Sequence, residues 1–153
     1  MVAENMACTD RVGPAEFFLC SNDYCSSFEA TWAAHHGVAK KIEINTTSLD
    51  EYFLQRGIAW PDLIKLDIEG AGAAALRGMA RCIREKEPIL LVESHNREEA
   101  DAISDLMKKH NYGIFRVSDS KWIGNPDDVP ADVRCTMILS TGDALRAIKE
   151  SVG

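Results

Sequence analysis

The sequence has no apolar run long enough to cross a bilayer. Its first ten residues, MVAENMACTD, also lack the basic start and the apolar centre of a secretory signal. No basic cluster is present, and the formal net charge is -7. Because nucleic acids and anionic membranes attract positively charged surfaces, this composition argues against both as partners. We therefore expect a cytoplasmic protein that binds neither nucleic acid nor membrane.

Cysteine is present but forms no recognisable framework. The five cysteines are scattered, odd in number and without a CxxC pair or a zinc-ligand spacing, which predicts free thiols in a reducing compartment. The chain has 153 residues, of which 46% are hydrophobic and 27% are charged. This balance argues against disorder and is typical of a single globular domain.

The most informative stretch covers residues 60–78 and reads WPDLIKLDIEGAGAAALRG. Residues 63–66 form a short apolar run with one lysine, which is typical of a strand covered on both faces. This run is followed by Asp67 and Glu69, and then by an alanine-rich segment that predicts a helix with a stop at Gly78. Ligands of open α/β sheets bind beyond the carboxyl ends of the strands, so the two carboxylates are candidates for a site.

The rest of the chain alternates between strand and helix patterns. From residue 63 onward this alternation predicts an α/β sheet that is mostly parallel and covered by helices, with room for an antiparallel pair at one edge. Ser48 has Glu51 at capping-box spacing and starts a helix that ends at Gly57. Residues 28–36 fit a helical turn or an irregular segment, and residues 118–130 predict a loop. Strands are predicted at residues 2–8 and 15–20, which would form a hairpin, and at 40–45, 63–66, 89–92, 113–117 and 136–139; further helices are predicted at 97–110 and 142–149.

The strand at residues 89–92 ends on a second group of polar side chains, Glu93 and His95. Imidazole titrates near neutral pH, which suits a general base, although a histidine at a helix entry is the alternative. Asp67 and Glu69 are two positions apart and would share one face of an extended chain, so both would point into one pocket. The alternative is that one caps the following helix and the other pairs with a lysine. These four side chains also suit a divalent metal, but their spacing requires none, and we assign no metal ligand.

Four segments in order resemble the FkbM family of S-adenosylmethionine-dependent methyltransferases. Residues 62–71, DLIKLDIEGA, with LRG at 76–78, are similar to the central motif of the family. Residues 88–95, PILLVESH, resemble its next strand, which commonly ends in Glu-x-His. Upstream, NMACTD at 5–10 and TSLD at 47–50 resemble two further elements of the family.

The resemblance implies a Rossmann-like class I methyltransferase fold that uses S-adenosylmethionine. The reaction would transfer a methyl group to a hydroxyl of a small molecule, either a sugar or a secondary metabolite. The implied site comprises Asp67, Glu69 and His95 as catalytic residues, Asn5, Ala7 and Asp67 as cofactor contacts, and Glu93 as a substrate contact.

Two departures from the family pattern qualify this expectation. Gly72 stands where the family usually has a second glutamate, and the strand and glycine-bearing turn that open the family's fold have no counterpart here. We therefore expect residues 1–153 to form a single FkbM-type domain that is incomplete, with its sheet truncated at the N-terminal side. The strand at 63–66 would then be an apolar edge, which predicts a homodimer or a missing N-terminal half that covers it.

Three other functions are compatible with the same residues. The first is a catalytically inactive methyltransferase-like remnant that serves as a dimerisation or binding module, which the missing glycine turn and Gly72 favour. The second is a split enzyme whose cofactor-binding half is another polypeptide. The third is a metal-dependent hydrolase that uses the acidic cluster.

Overall fold

The computed structural model describes residues 2–21, 26–27, 30, 34–35, 37–131 and 134–152. The chain divides into two compact units. Unit 1 consists of Met1–Ile58 and Ile68–Ala80, and unit 2 consists of Ala59–Asp67 and Arg81–Gly153. Most of the segment 28–36, for which two structures were open, lies outside the described residues.

Unit 1 contains a three-stranded sheet whose order is β1-β3-β2. Its strands are β1 (Ala7–Cys8), β2 (Gly13–Cys20) and β3 (Val38–Thr47). Strand β1 is parallel to β3, and β2 is antiparallel to it. The predicted hairpin between the first two strands is therefore wrong. Both pair with β3 instead, because this ten-residue strand offers one edge to each of them.

Helix α1 (Leu49–Arg56), which belongs to unit 1, has the predicted caps. The Ser48 Oγ atom accepts a hydrogen bond of 3.1 Å from the backbone N–H of Glu51. The helix ends at Gly57, whose φ of 61° is the left-handed conformation that glycine adopts without strain. The prediction of both helix ends is confirmed, since each depends only on neighbouring residues.

Helix α2 (Gly72–Arg77), also in unit 1, ends at Gly78 as predicted, but for a different physical reason. The φ of Gly78 is -71°, so its conformation does not require glycine. A Cβ atom at this position would lie only 2.0 Å from the backbone oxygen of Thr9 and 3.2 Å from the Cβ of Ser48. Glycine is needed here because two other segments approach the backbone closely.

The same contact region joins three of the segments that carry the family resemblance. The backbone oxygen of Gly78 accepts a hydrogen bond of 3.0 Å from the N–H of Asp50. The N–H of Thr9 donates to the oxygen of Thr47 at 2.9 Å. The Nε atom of Arg77 donates to Asp10 at 2.9 Å. These motif residues therefore hold unit 1 together.

Unit 2 contains a five-stranded sheet whose order is β4-β5-β8-β6-β7. Its helices are α3 (Ala80–Lys86, whose first residue belongs to unit 1), α4 (Arg97–His110) and α5 (Gly142–Val152), with a 3-10 turn at Pro126–Asp128. Its strands are β4 (Leu63–Leu66), β5 (Ile89–Ser94), β6 (Gly113–Arg116), β7 (Lys121–Ile123) and β8 (Cys135–Ser140).

The strand directions confirm an α/β fold but contradict a mostly parallel sheet. Among the described strands of unit 2, only β4 and β5 pair in parallel. Strand β8 is antiparallel to both β5 and β6, and β7 is antiparallel to β6. Strand β8 lies in the middle of the sheet, between β5 and β6. Its two pairings are both antiparallel, and they take the place of a direct parallel pairing of β5 with β6. Strand β7 lies within the predicted loop at 118–130. It was missed because it is short and begins with a polar residue.

The exposure of β4 also differs from the prediction. Ile64 and Leu66 are buried, but Lys65 is exposed and Leu63 is 59% exposed. This alternation shows that the strand is covered on one face only; the strand also lies at the edge of the sheet. The buried core of unit 2 lies against the covered face and includes Leu90, Val92, Ile103, Ile114, Met137 and Leu139.

Among the helices that the structure describes, none combines the length and the apolar character needed to cross a membrane.

Candidate functional site

Three of the predicted site residues lie at the carboxyl ends of β4 and β5. The two strands are parallel, with Leu66 opposite Val92, so the residue that follows β4 lies beside Glu93. That residue is Asp67. Paired residues of parallel strands share a face, and positions two apart on one strand do as well. The register therefore directs Asp67, Glu93 and His95 to the same face of the sheet.

The three side chains converge closely. Asp67, Glu93 and His95 each offer one nitrogen or oxygen atom that lies within 4.8 Å of those of the other two. The Nε2 atom of His95 is 3.5 Å from Oε1 of Glu93. The imidazole is fully buried, whereas the carboxylates of Glu93 and Asp67 are 22% and 38% exposed. Solvent and ligands therefore reach the cluster through the two carboxylates, above all through Asp67.

The start of α4 fixes the backbone of His95. The Asn96 Oδ1 atom accepts a hydrogen bond of 2.9 Å from the N–H of Glu99 and so caps the helix. In return, the Oε2 atom of Glu99 accepts a hydrogen bond of 2.6 Å from the backbone N–H of His95. The same Oε2 atom lies 3.5 Å from the Nδ1 atom of the His95 ring. The side chain of Glu99 is only 1% exposed. Sequence reasoning missed this residue, although Asn96-x-x-Glu99 has the spacing of a capping box.

Two cations flank the cluster. Nζ of Lys65 lies 3.1 Å from Oδ2 of Asp67, and Nε of Arg134 lies 3.3 Å from Oε1 of Glu93. The side chains of Lys65 and Arg134 are 61% and 56% exposed, so these ion pairs contribute little to stability. Arg134 was not predicted. It reaches the site because β8 runs antiparallel to β5 and begins beside the end of that strand.

The remaining predicted residues belong to unit 1. Glu69 is half-buried in the turn before α2, where its backbone oxygen accepts a hydrogen bond from the Ser27 hydroxyl. Ala7 is half-buried in β1, and Asn5 is exposed just before it. Asn5 lines a cavity of about 160 Å³ together with Glu43, Ile44 and Asn45. Within unit 2, the structure thus brings together Asp67, Glu93 and His95.

The described cysteines offer no activated nucleophile near the cluster. Cys135, at the start of β8, is buried, and burial raises the pKa of its thiol. Burial raises the pKa of Cys8 in unit 1 as well. A raised pKa lowers the thiolate fraction and therefore the reactivity of the sulfur. Cys8 and Cys135 are free thiols, as predicted.

Comparison with known proteins gives one family and one solved structure. Residues 2–114 match the family model described as Methyltransferase FkbM domain. The chain is similar to the crystal structure of methyltransferase FkbM from Methylobacillus flagellatus KT, with 23% identity and a TM-score of 0.44. That similarity covers 63% of this chain and 23% of the other, so the matched part is less than a quarter of that protein's length. No curated protein matches the chain.

Proposed function

Because the chain belongs to the FkbM methyltransferase family, we propose that it carries the acceptor side of an S-adenosylmethionine-dependent O-methyltransferase. The acceptor is a hydroxyl of a sugar or of another secondary metabolite. The observation that best supports this proposal is the convergence of Asp67, Glu93 and His95 at the ends of two parallel strands. In open α/β sheets this edge is where ligands bind.

The arrangement suggests a separate role for each side chain. When bound, S-adenosylmethionine supplies an electrophilic methyl group whose bonding electron pair stays on sulfur. Asp67 is the most exposed member of the cluster and would bind the acceptor hydroxyl and take its proton. Glu93, at 22% exposure, would make a second contact with the acceptor. Because His95 is fully buried, its predicted role as general base requires the proton to pass through Glu93, 3.5 Å away.

The sheet of unit 2 supports the proposal at the level of fold. Strands β5 and β6 are both antiparallel to β8, so β4, β5 and β6 all run in one direction. We propose that this sheet belongs to a Rossmann-like class I methyltransferase sheet, within one FkbM-type domain over residues 1–153. The catalytic role of Glu69 stays a prediction.

The cavity beside Asn5 bears on the predicted cofactor contacts and on a second candidate function. At about 160 Å³ it is smaller than the roughly 300 Å³ at which small-molecule pockets begin. The residues that line it therefore do not enclose S-adenosylmethionine by themselves, and the cofactor contacts of Asn5 and Ala7 stay predictions. The alternative of a catalytically inactive, methyltransferase-like binding module rests on Gly72 and on the missing glycine-bearing turn.

Methyl transfer itself separates the two candidates. The purified chain is incubated with S-adenosylmethionine that carries a labelled methyl group and with a panel of hydroxylated sugars and secondary metabolites. The leading proposal predicts that label enters at least one acceptor as an ether. A panel without any labelled product, at protein concentrations where the chain is fully folded, would support the binding module instead.

We further propose that a second copy of the chain covers the edge strand β4. Exposed apolar edge strands recruit other chains, and the 59% exposure of Leu63 leaves this strand open. Sedimentation velocity is expected to show a dimer at micromolar concentration, and Leu63→Lys is expected to shift it toward monomer. Val12→Lys is the matched control, since Val12 is 64% exposed in unit 1 and should leave the dimer intact. A wild-type chain that sediments only as a monomer contradicts the proposal.

A further inference from the structure

We propose that Asp67, Glu93 and His95 bind one divalent cation. Together they offer an imidazole nitrogen and two carboxylate oxygens, with one atom from each within 4.8 Å of the others. This mixed set suits divalent ions such as Mn²⁺ and Zn²⁺, which accept both nitrogen and oxygen ligands.

The spacing within the cluster fits shared coordination. Two ligand atoms that each lie about 2.1 Å from one ion in tetrahedral geometry are roughly 3.4 Å apart. The Nε2 atom of His95 and the Oε1 atom of Glu93 are 3.5 Å apart, so an ion can bind both with little movement. Asp67 is 38% exposed and therefore has room to adjust its carboxylate toward the same ion.

The surroundings of His95 provide independent support. Its Nε2 atom lies on the side of Glu93, while its Nδ1 atom lies 3.5 Å from the buried carboxylate of Glu99. Metal-binding histidines usually have a carboxylate or carbonyl near the second ring nitrogen, which orients the ring and raises its basicity. Glu99 is itself held in place by its hydrogen bond from the backbone N–H of His95. The imidazole is thus oriented before any cation arrives.

The cation must compete with Lys65 and Arg134, which pair with Asp67 and Glu93. Both basic side chains are more than half exposed and long, so they can move into solvent at small cost. Each carboxylate also has a second oxygen. Three protein ligands leave further positions on the ion for water or for a substrate oxygen, as in catalytic rather than structural metal sites.

The binding of a cation does not depend on methyl transfer. The role of the cation in the reaction, given next, rests on the proposed function. An acceptor hydroxyl bound to the ion would lose its proton more easily, because a divalent cation stabilises the alkoxide. The proton would pass to the second carboxylate oxygen of Asp67, the one that does not bind the ion. The ion would therefore prepare the nucleophile, while Asp67 and Glu93 hold the ion.

Titration of the metal-free protein with Mn²⁺, followed by the paramagnetic resonance signal of the free ion, tests the inference. The wild type is expected to bind one Mn²⁺ per chain, and Asp67→Asn or Glu93→Gln should weaken binding on the order of tenfold or more. Arg134→Gln should strengthen binding, because it removes a competing cation. Asp105→Asn is the matched control, since Asp105 is also an exposed carboxylate that pairs with a lysine, and binding should not change.

Two results would overturn the inference. One is a wild type that binds Mn²⁺ no better than Asp67→Asn does. The other is an equal loss of binding in Asp105→Asn, which would show diffuse attraction to a chain of net charge -7. Site-specific Mn²⁺ binding without methyl transfer would leave the cation site standing and would count against the proposed enzyme alone.

Discussion

Replacement of Gly78 by alanine is expected to destabilise unit 1 by about 3 kcal/mol or more. The added Cβ would lie 2.0 Å from the backbone oxygen of Thr9, and backbone cannot swing away as a flexible side chain can. Relief of the overlap requires a shift that stretches the Asp50–Gly78 and Thr9–Thr47 hydrogen bonds, both 3.0 Å or shorter. Because these hydrogen bonds join three segments of the chain, the loss of stability extends beyond the immediate surroundings of residue 78.

Urea unfolding of the wild type and two alanine variants measures this cost. Gly124→Ala is the matched control, because a Cβ there meets no atom within 4 Å and the backbone is not in the left-handed region. Its unfolding midpoint should match that of the wild type, with a change of about 0.5 kcal/mol at most. If Gly78→Ala unfolds at the same midpoint as Gly124→Ala, the close approach of Thr9 does not exist in solution.

Replacement of Asp67 by asparagine is expected to lower methyl transfer about a hundredfold on any acceptor that the wild type methylates. Asparagine keeps the size of the side chain and can still contact a hydroxyl, but it cannot accept the proton. The loss should therefore appear mainly in kcat, with a smaller change in KM. Asp67 is 38% exposed, so the variant is expected to fold normally.

Asp105→Asn serves as the control for this variant as well. It removes one carboxylate from the same unit and, like Asp67→Asn, breaks an ion pair with a lysine. Its activity should equal that of the wild type. If Asp67→Asn keeps the full kcat of the wild type, Asp67 does not accept the proton. Glu93 is then the one partly exposed carboxylate of the cluster that remains as a candidate.

The helices were more predictable from sequence than the sheets, for a physical reason. Helix α4 spans the predicted residues, and α1 has its predicted caps, because capping and helical periodicity act over three or four neighbouring positions. Strand direction depends on partners that are distant in the chain. The central position of β8, which makes the unit 2 sheet mainly antiparallel, has no local signal.

The candidate site shows the same division. Asp67, Glu93 and His95 were found because each follows or ends a recognisable strand. Arg134 was missed, since its contact with Glu93 exists only when β8 lies beside β5. Glu99 could have been found from its capping spacing after Asn96, but its proximity to the His95 ring depends on the backbone at the helix entry.

Calorimetric titration with S-adenosylhomocysteine tests the central claim most directly, because it needs no knowledge of the acceptor. If the chain belongs to a working methyltransferase, the product of the cofactor should bind at micromolar strength, which corresponds to about -8 kcal/mol. Absence of binding at millimolar ligand would contradict methyl transfer by this chain alone, and would leave either the methyltransferase-like binding module or a split enzyme whose cofactor-binding half is another polypeptide.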